Sequence, residues 1–410
     1  MNTFKAALNK LILGLTSVGI LILLMFPVSL SATHYRYGTM SWDLTGNDNA
    51  THTEIRLYMT TGWRTGVGNP FDTVGETATL DPWNNNYIDI NWGDGQTTLG
   101  VTIRTTSIDT AAGSSNAEIG TMSGGVWTPG ATHSYSINGT YIVSWGSTYR
   151  ISSIENMANQ SKWRLETKVN IEGQYAGNVS PVSAVPPIVQ IQDNTSFNYQ
   201  LVSTDANEDT LGYRWGTYKE FVDNASSTTY SKPTGMTLSS SGLVQWNVRD
   251  SGGQATDEDD MWLSFIMVED LDSSSGDNKS YIPIDFFFKI ASASNDPPEI
   301  IGIPTTTQTV TIGTTKTFTI TSTDDSGVAP TVSVLNPPSD NTSIWDNTTS
   351  TSGSITTFTI NFSPVSSMDN STYAVNIRST DNDNMTKDQS LGLKVSSVSN
   401  ADPTTPILLS

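Results

Sequence analysis

Beyond the first thirty-odd residues, apolar positions come in short β-branched and aromatic runs broken by Gly, Asn, Asp, Ser and Pro. The three-and-four spacing of an amphipathic helix is nearly missing, so the pattern predicts strands joined by turns and an all-β chain. The runs are Thr53–Leu57, Tyr87–Trp92, Tyr141–Trp145, Trp262–Val268, Ile282–Ile290, Lys316–Thr321, Thr357–Phe362 and Tyr373–Ile377. In Thr317-Phe318-Thr319-Ile320-Thr321 the period of two is plain. Phe318 and Ile320 point to one face there, and the threonines to the other.

The leading segment breaks this pattern. Lys5 and Lys10 precede an apolar stretch from Leu11 to Phe26, Pro27 ends it, and Ser29-Leu30-Ser31 supplies small residues for cleavage. Residues 1–32 therefore read as a signal peptide. An uncleaved signal anchor is the alternative, because the stretch approaches the ~17 residues that can span a bilayer. No later segment is long and apolar enough to span, so no further membrane anchor is visible in the chain.

Proline phrases mark the divisions after that. Val185-Pro186-Pro187-Ile188-Val189 and Asp296-Pro297-Pro298-Glu299-Ile300-Ile301 each set prolines before an apolar strand. Proline fixes φ and donates no hydrogen bond, which suits a stiff entry into an edge strand. Three units are expected: 33–177, 178–293 and 294–400. The last two are near the ~100 residues of an immunoglobulin-like β-sandwich. The first is longer, and Gly100 to Gly130 reads as an inserted hairpin or loop. The phrase returns in Asp402-Pro403-Thr404-Thr405-Pro406-Ile407, so 401–410 is either a frayed tail or the start of a further domain. The expected fold is tandem immunoglobulin-like β-sandwich domains after an N-terminal signal segment.

Charge narrows the partners. The 40 acidic and 20 basic side chains give −20, and removal of the two signal lysines leaves 18 against 40, or −22. Nucleic acid, whose phosphates demand Lys and Arg, is excluded as a partner. The balance suits a solvated exterior protein with carboxylates free for hard cations. Cysteine is absent. An exported chain without it has no disulfide staples, thiolate metal sites or cysteine nucleophiles, so each domain stands on its core or on bound ions.

Two motifs carry chemistry or its imitation. Trp92-Gly93-Asp94-Gly95 is answered by His133, Tyr135, Gly139, Tyr141 and Val143. Physically this is a core Trp, a tight turn whose glycines admit unusual φ, an Asp that accepts backbone hydrogen bonds, and a corner tyrosine. The pair of motifs resembles the PKD repeat of extracellular proteins, which implies a structural role for these residues.

In the second unit, Asp205-Ala206-Asn207-Glu208-Asp209-Thr210-Leu211-Gly212-Tyr213, then Pro233-Thr234-Gly235-Met236 and Gly242-Leu243-Val244-Gln245-Trp246, resemble the cadherin-like, immunoglobulin-like domains of surface proteins. Glu208 stands where that family usually has Gly. Oxygen side chains at alternate turn positions line one side of a bend, which Ca²⁺ uses. The candidate ligands are Asp205, Asn207, Asp209, Asp270, Asp272, Asn295, Asp296, Asp381 and Asp383; solvated turn carboxylates are the plainer reading. Asp257-Glu258-Asp259-Asp260 reads as a solvated loop.

Glycan acceptor triplets occur at Asn49, Asn138, Asn159, Asn194, Asn224, Asn278, Asn341, Asn347, Asn361, Asn370 and Asn384, with Asn178 disfavoured by Pro181. An enzyme reading lacks residues to carry it. His34, His52 and His133 are the whole histidine set, and neither a Gly-x-Ser-x-Gly nor a His-Glu-x-x-His motif occurs. A copper site on an N-terminal His34 would need cleavage directly after Thr33, which the small-residue rule disfavours.

The expected role is a secreted or cell-surface adhesion and spacer protein that binds a protein or glycan ligand on a cell surface or matrix, with Ca²⁺ stiffening its inter-domain turns. One alternative is the carbohydrate-binding accessory part of a larger hydrolase, using Trp63, Trp83 and Trp127. Another is a surface-layer or filament subunit that self-associates.

Overall fold

The structure is a computed structural model. It describes residues 35–49, 51–66, 72–80, 89–110, 113–148, 150–151, 154–157, 162–222, 232–248, 257–292, 294–339 and 341–397. The segments 1–32 and 401–410, and with them the signal peptide and the last proline phrase, lie outside the described residues, as do His34, Trp83, Asn159 and Asn224.

Regular structure is almost entirely strand, and the strands pack as β-sandwiches. The period of two is realised most simply near the C-terminal end. Lys316–Thr323 alternates with Phe318 and Ile320 buried, and it joins Glu299–Ile301, Ile355–Phe362 and Trp345–Ser352 in one four-stranded sheet. A second four-stranded sheet runs Gln308–Thr311, Thr386–Ser396, Thr372–Thr380 and Thr331–Val334. Phe318, Ile320, Phe358 and Ile360 from one face meet Val375, Ile377, Leu391 and Leu393 from the other. Each side chain so buried contributes about 1.5–3 kcal/mol, which lets the domain stand without a disulfide.

The middle region repeats this plan. Ser196–Gln200, Leu243–Asn247 and Thr237–Leu238 cover a sheet containing Thr210–Trp215, Met261–Leu271, Asn278–Ala291 and Ile188–Gln192. Both proline phrases open edge strands. Among the described residues, Ile188–Gln192 pairs only with Asn278–Ala291, and Glu299–Ile301 only with Lys316–Thr323. The missing proline donors therefore cost no ladder bond.

In the N-terminal region, Tyr35–Leu44 and Thr53–Arg64 pair antiparallel from Tyr35↔Trp63 to Leu44↔Ile55. Thr53–Arg64 then pairs with Ser114–Ser123 through residues 60–64, and with Ala131–Tyr135 through residues 53–57. The segment between Gly100 and Gly130 supplies the hairpin Thr102–Asp109/Ser114–Ser123 and the strand Val126–Pro129. Thr140–Ser147 and Trp163–Asn170 pair with each other and extend the same sheet to Ile90–Asn91 and Thr97–Thr98.

One strand joins these regions. Asn278–Ala291, the longest of the described strands, pairs along one edge with Met261–Leu271. Along its other edge it pairs in turn with Trp163–Asn170 at Tyr281, with Tyr35–Leu44 at Ile284 and Asp285, and with Ile188–Gln192 from Phe287 onward. Its near-continuous apolar run is the composition of a strand buried on both faces. Ile282, Ile284, Phe286, Phe288 and Ile290 fill the middle core. Asp285, on the opposite face and fully buried, receives Arg150 at 2.6 and 2.8 Å.

The C-terminal sandwich docks through the outer face of its Thr372–Thr380/Thr386–Ser396 sheet. Arg378 holds Asp388 at 2.8 and 3.0 Å and also bonds Asp109 of the N-terminal hairpin. Ser390 Oγ donates to the Ala184 carbonyl at 2.7 Å, and Lys394 reaches Glu208 at 2.7 Å. The described residues from Tyr35 onward belong to one compact unit.

Candidate cation site

Two acidic places stand out, and their partners separate them. The first is the Trp92 corner. Trp92 is buried, and the φ of +82° at Gly93 brings a Cβ built there to 2.8 Å from the Ile142 carbonyl oxygen, so only glycine fits. Asp94 accepts from the Gln96 amide at 2.9 Å and pairs with His133 Nε2 at 2.8 Å. The imidazole stacks on the Trp92 ring at 4.6 Å, and the Tyr135 hydroxyl donates to the Trp92 carbonyl at 3.0 Å. Burial pushes the Asp94 carboxyl up, yet the Gln96 amide and His133 outweigh it and hold it below its ordinary value. Both Asp94 oxygens are spent on the fold, so this corner is structural.

The second place has acceptors to spare. Asp205, Asp209 and Asp270 bring one carboxylate oxygen each within 4.8 Å of one another. Asp205 follows the short strand Ser203–Thr204 and builds its own turn, its Oδ1 accepting from the amides of Asn207 at 2.9 Å and Asp209 at 3.0 Å. The turn closes through a left-handed residue, Glu208 at φ 63°. This is why glycine is usual at that position and why glutamate there is strained. Asp270, near the end of Met261–Leu271, accepts from Asn178 Nδ2 at 2.8 Å and Ser280 Oγ at 3.1 Å. The Lys279 ammonium contacts Asp209 and lies 3.5 Å from Asp270 Oδ1.

Three carboxylates face one ammonium, and the imbalance is buried. Asp205 Oδ2, Asp270 Oδ1 and Asn178 Oδ1 are enclosed and accept no hydrogen bond. Burial lifts the Asp270 carboxyl to about 6; the charges of Asp205 and Asp209 add to it, against the Asn178 bond and Lys279. Asp205 is raised too, by burial first, against its turn amides. Burial would lower the Lys279 ammonium, but Asp209 and Asp270 hold it above its ordinary value. An enclosed, oxygen-only donor set short of positive charge fits a hard divalent cation.

The other candidate ligands lie elsewhere. Asn207 ties its turn to the preceding segment, accepting from the Val179 amide at 2.9 Å and donating to the Gly177 carbonyl at 3.1 Å. Asp272 caps the turn of Ser274 and Ser275, whose donors hold its carboxyl well below the usual range. Asp381 repeats the Asp205 turn, accepting from the amides of Asp383 and Met385 at 2.8 Å, with Asn295 Nδ2 at 2.8 Å on its second oxygen. The Asp383 carboxylate is exposed, and Asp296 bonds Gln192.

Sequence reasoning missed two members, Asn178 and Lys279. A signal for Asn178 existed. It stands three residues before Pro181, as Asn295 stands two before Pro297, and both asparagines donate to an Asp at a strand end. Asn178 is buried and engaged, so it is closed to a glycan. Asn49, Asn138, Asn194, Asn341, Asn347, Asn370 and Asn384 are exposed, while Asn278 and Asn361 are half-buried.

Of the three candidate sugar-binding tryptophans the described residues include Trp63 and Trp127, and both rings are engaged with their neighbours. Trp63 is 1% exposed, set edge-on to Tyr35 and Trp163 and donating to Thr61 at 2.9 Å. Trp127 donates to Glu118 at 2.7 Å under the Arg104 guanidinium, 5.1 Å from its ring.

Fold and cluster together define a class: a cysteine-free, all-β sandwich protein with an enclosed carboxylate group where its N-terminal and middle regions meet. Residues 36–172 match the family model described as Integrin beta-like protein A-E, N-terminal. Integrin beta-like protein A of Dictyostelium discoideum is 27% identical over 282 residues, 65% of this chain and 12% of that protein. Integrin beta-like protein B of the same organism is 30% identical over 228 residues, 53% of this chain and 10% of that one. The chain therefore spans about a tenth of the length of these relatives. Among solved structures, the GspB Siglec domain aligns with a TM-score of 0.22 at 15% identity, over 25% of this chain and 58% of that one. Titin domains Z1Z2 in complex with telethonin align with a TM-score of 0.19 at 11% identity, over 53% and 96%. Among the described residues no helix is long and apolar enough to cross a membrane.

Proposed function

We propose that this chain is an adhesion-type segment of a secreted or cell-surface protein, holding a protein or glycan ligand and catalysing nothing. The observation that carries this reading is the match of residues 36–172 to the N-terminal model of integrin beta-like proteins. The PKD-like and cadherin-like motifs and the acidic, cysteine-free composition support the same setting. The accessory carbohydrate-binding alternative draws no support from Trp63 and Trp127, whose rings are committed to the fold. The test is attachment: surfaces coated with the full chain should hold cells above the level of an inert protein. Coated surfaces that hold no more than that control would overturn the reading.

Calcium belongs to this proposal. Asp205, Asp209 and Asp270 would hold it with the Asn178 side-chain oxygen Oδ1, and it would supply the positive charge that Lys279 provides only in part. Because Asn178 begins the connection between the two regions, the ion would consolidate their junction. Millimolar calcium should raise the melting temperature over chelator by a few degrees, an expected ~1–3 kcal/mol of linkage stabilisation. The gain should vanish in Asp205→Asn. Equal melting curves with calcium and with chelator would remove the ion from the account.

A further inference from the structure

A cleft of about 540 Å³ opens where the N-terminal hairpin, the 183–186 connection and the 335–339 loop of the C-terminal sandwich meet. We propose that it binds a neutral saccharide. This deepens the adhesion reading, on which it rests, by naming the ligand chemistry and its place.

Polar groups that folding has buried and left unanswered gather at this cleft. Asn376 is 2% exposed, and neither its side-chain nitrogen Nδ2 nor its side-chain oxygen Oδ1 has a hydrogen-bond partner. Thr105, 1% exposed, has an unpartnered hydroxyl, and the Asn116 side-chain oxygen is likewise enclosed and unpartnered. All three line this one cleft, from two different regions of the chain. Native proteins rarely leave such groups unanswered unless a ligand or ordered water completes them.

The walls are built to hold these groups. Val375 and Ile377 fill the C-terminal core, so the strand period turns Asn376 to the opposite face. Asn336 fixes the loop across from it, its Oδ1 accepting from the Asn376 backbone N–H at 2.7 Å and its Nδ2 donating to the Ala374 carbonyl at 2.8 Å. On the other wall the register shifts between Thr105 and Ser107, a bulge of the kind that re-aims side chains beside functional sites. The Gly75 amide grips the Thr105 carbonyl at 2.8 Å and fixes the bulge.

The lining chooses the ligand class. Its charged members, Arg104 and Glu118, neutralise each other at 2.7 Å, so nothing there selects an ion. The remaining polar members are hydroxyls and amides, set beside Pro186, Pro337, Pro338 and Val74. An amide offers a donor and an acceptor side by side, which suits neighbouring sugar hydroxyls, while the prolines offer a surface for the C–H face of a ring. The volume falls in the range of small-molecule pockets, enough for a mono- or disaccharide.

The test uses the full chain and saturation-transfer NMR with glucose, galactose, mannose, N-acetylglucosamine, lactose, maltose and cellobiose, and sialyllactose as the anionic control. At least one neutral sugar should bind. Thr105→Val, which removes only the unpartnered hydroxyl, should weaken it roughly tenfold while leaving the melting temperature level or higher. Val74→Trp, at a cleft residue 58% exposed, should block binding without unfolding. No binding by any neutral sugar, binding of sialyllactose alone, or binding indifferent to both variants would each overturn the proposal. No sugar binding by the wild-type chain, with cell attachment kept, would sink the cleft alone. Attachment absent with sugar binding kept would sink the adhesion reading.

Discussion

A carboxylate's meaning in this protein depends on how many of its acceptors the fold consumes. Asp94 and Asp205 both follow a strand and both accept backbone amides two residues on. Asp94 gives its second oxygen to His133, whereas the second oxygen of Asp205 is enclosed and unanswered. The difference is measurable at Asp270. Its folded pKa, about 6, lies above the ordinary 3.8, so the folded chain binds a proton there more tightly than the unfolded one. The stability it contributes is present below pH 4 and lost as pH rises through 6. Relative to Asp270→Asn, which mimics the protonated form, the wild type should therefore lose stability between pH 4 and 7 in chelator. Calcium should flatten that slope. A difference in melting temperature that is constant across the range would refute the assignment. At Gly93 the expectation is steric: Gly93→Ala should cost about 2–4 kcal/mol in denaturant melts, from left-handed backbone and the Ile142 contact. Gly95→Ala, with the same sign of φ but open space around it, should cost only about 1 kcal/mol.

At the scale of elements, the strands were legible and their partners were not. The period of two at Lys316–Thr323 and the prolines before Ile188–Gln192 and Glu299–Ile301 determine strand and edge locally, because side-chain alternation and the missing proline donor are properties of the segment itself. The same holds for the Trp92 corner, whose two halves announce each other in sequence. The role of Asn278–Ala291 was hidden. Its apolar run predicts a strand buried on both faces, but not that its second edge would be shared among three other strands. The buried Arg150–Asp285 pair fixes that junction from two distant segments. Asp285→Ala would leave the guanidinium buried without its counter-charge and should cost about 3–5 kcal/mol. Asp285→Ala with Arg150→Met should recover much of that loss in the same denaturation assay. A double variant no better than the single would show the pair is not the source.

For the whole molecule, docking of the sandwiches sets where chemistry can occur. The C-terminal sandwich is held by Arg378, Asp388 and Asp109, and by Ser390 on the Ala184 carbonyl. Arg378→Ala leaves Asp388 buried and unpaired, so the interface should loosen while each core persists. Limited proteolysis should then cut faster near 293–298, and the small-angle scattering radius should grow. Unchanged cleavage and radius would mean that the docking rests on other contacts. Loosening should also disperse the cleft between the regions, since Thr105 and Asn376 reach it from opposite sides.

By itself the sequence determined the strand class, the edge strands, the Trp92 corner and the acidic turns, each written in residues a few positions apart. Only the tertiary structure decided which acidic turn keeps unspent oxygens, that Asn178 and Lys279 join it, and that Asn376 and Thr105 share one cleft. The reason is physical. Local pattern fixes the face a side chain points to, whereas burial, charge balance and hydrogen-bond satisfaction depend on segments up to 271 residues apart, such as Thr105 and Asn376.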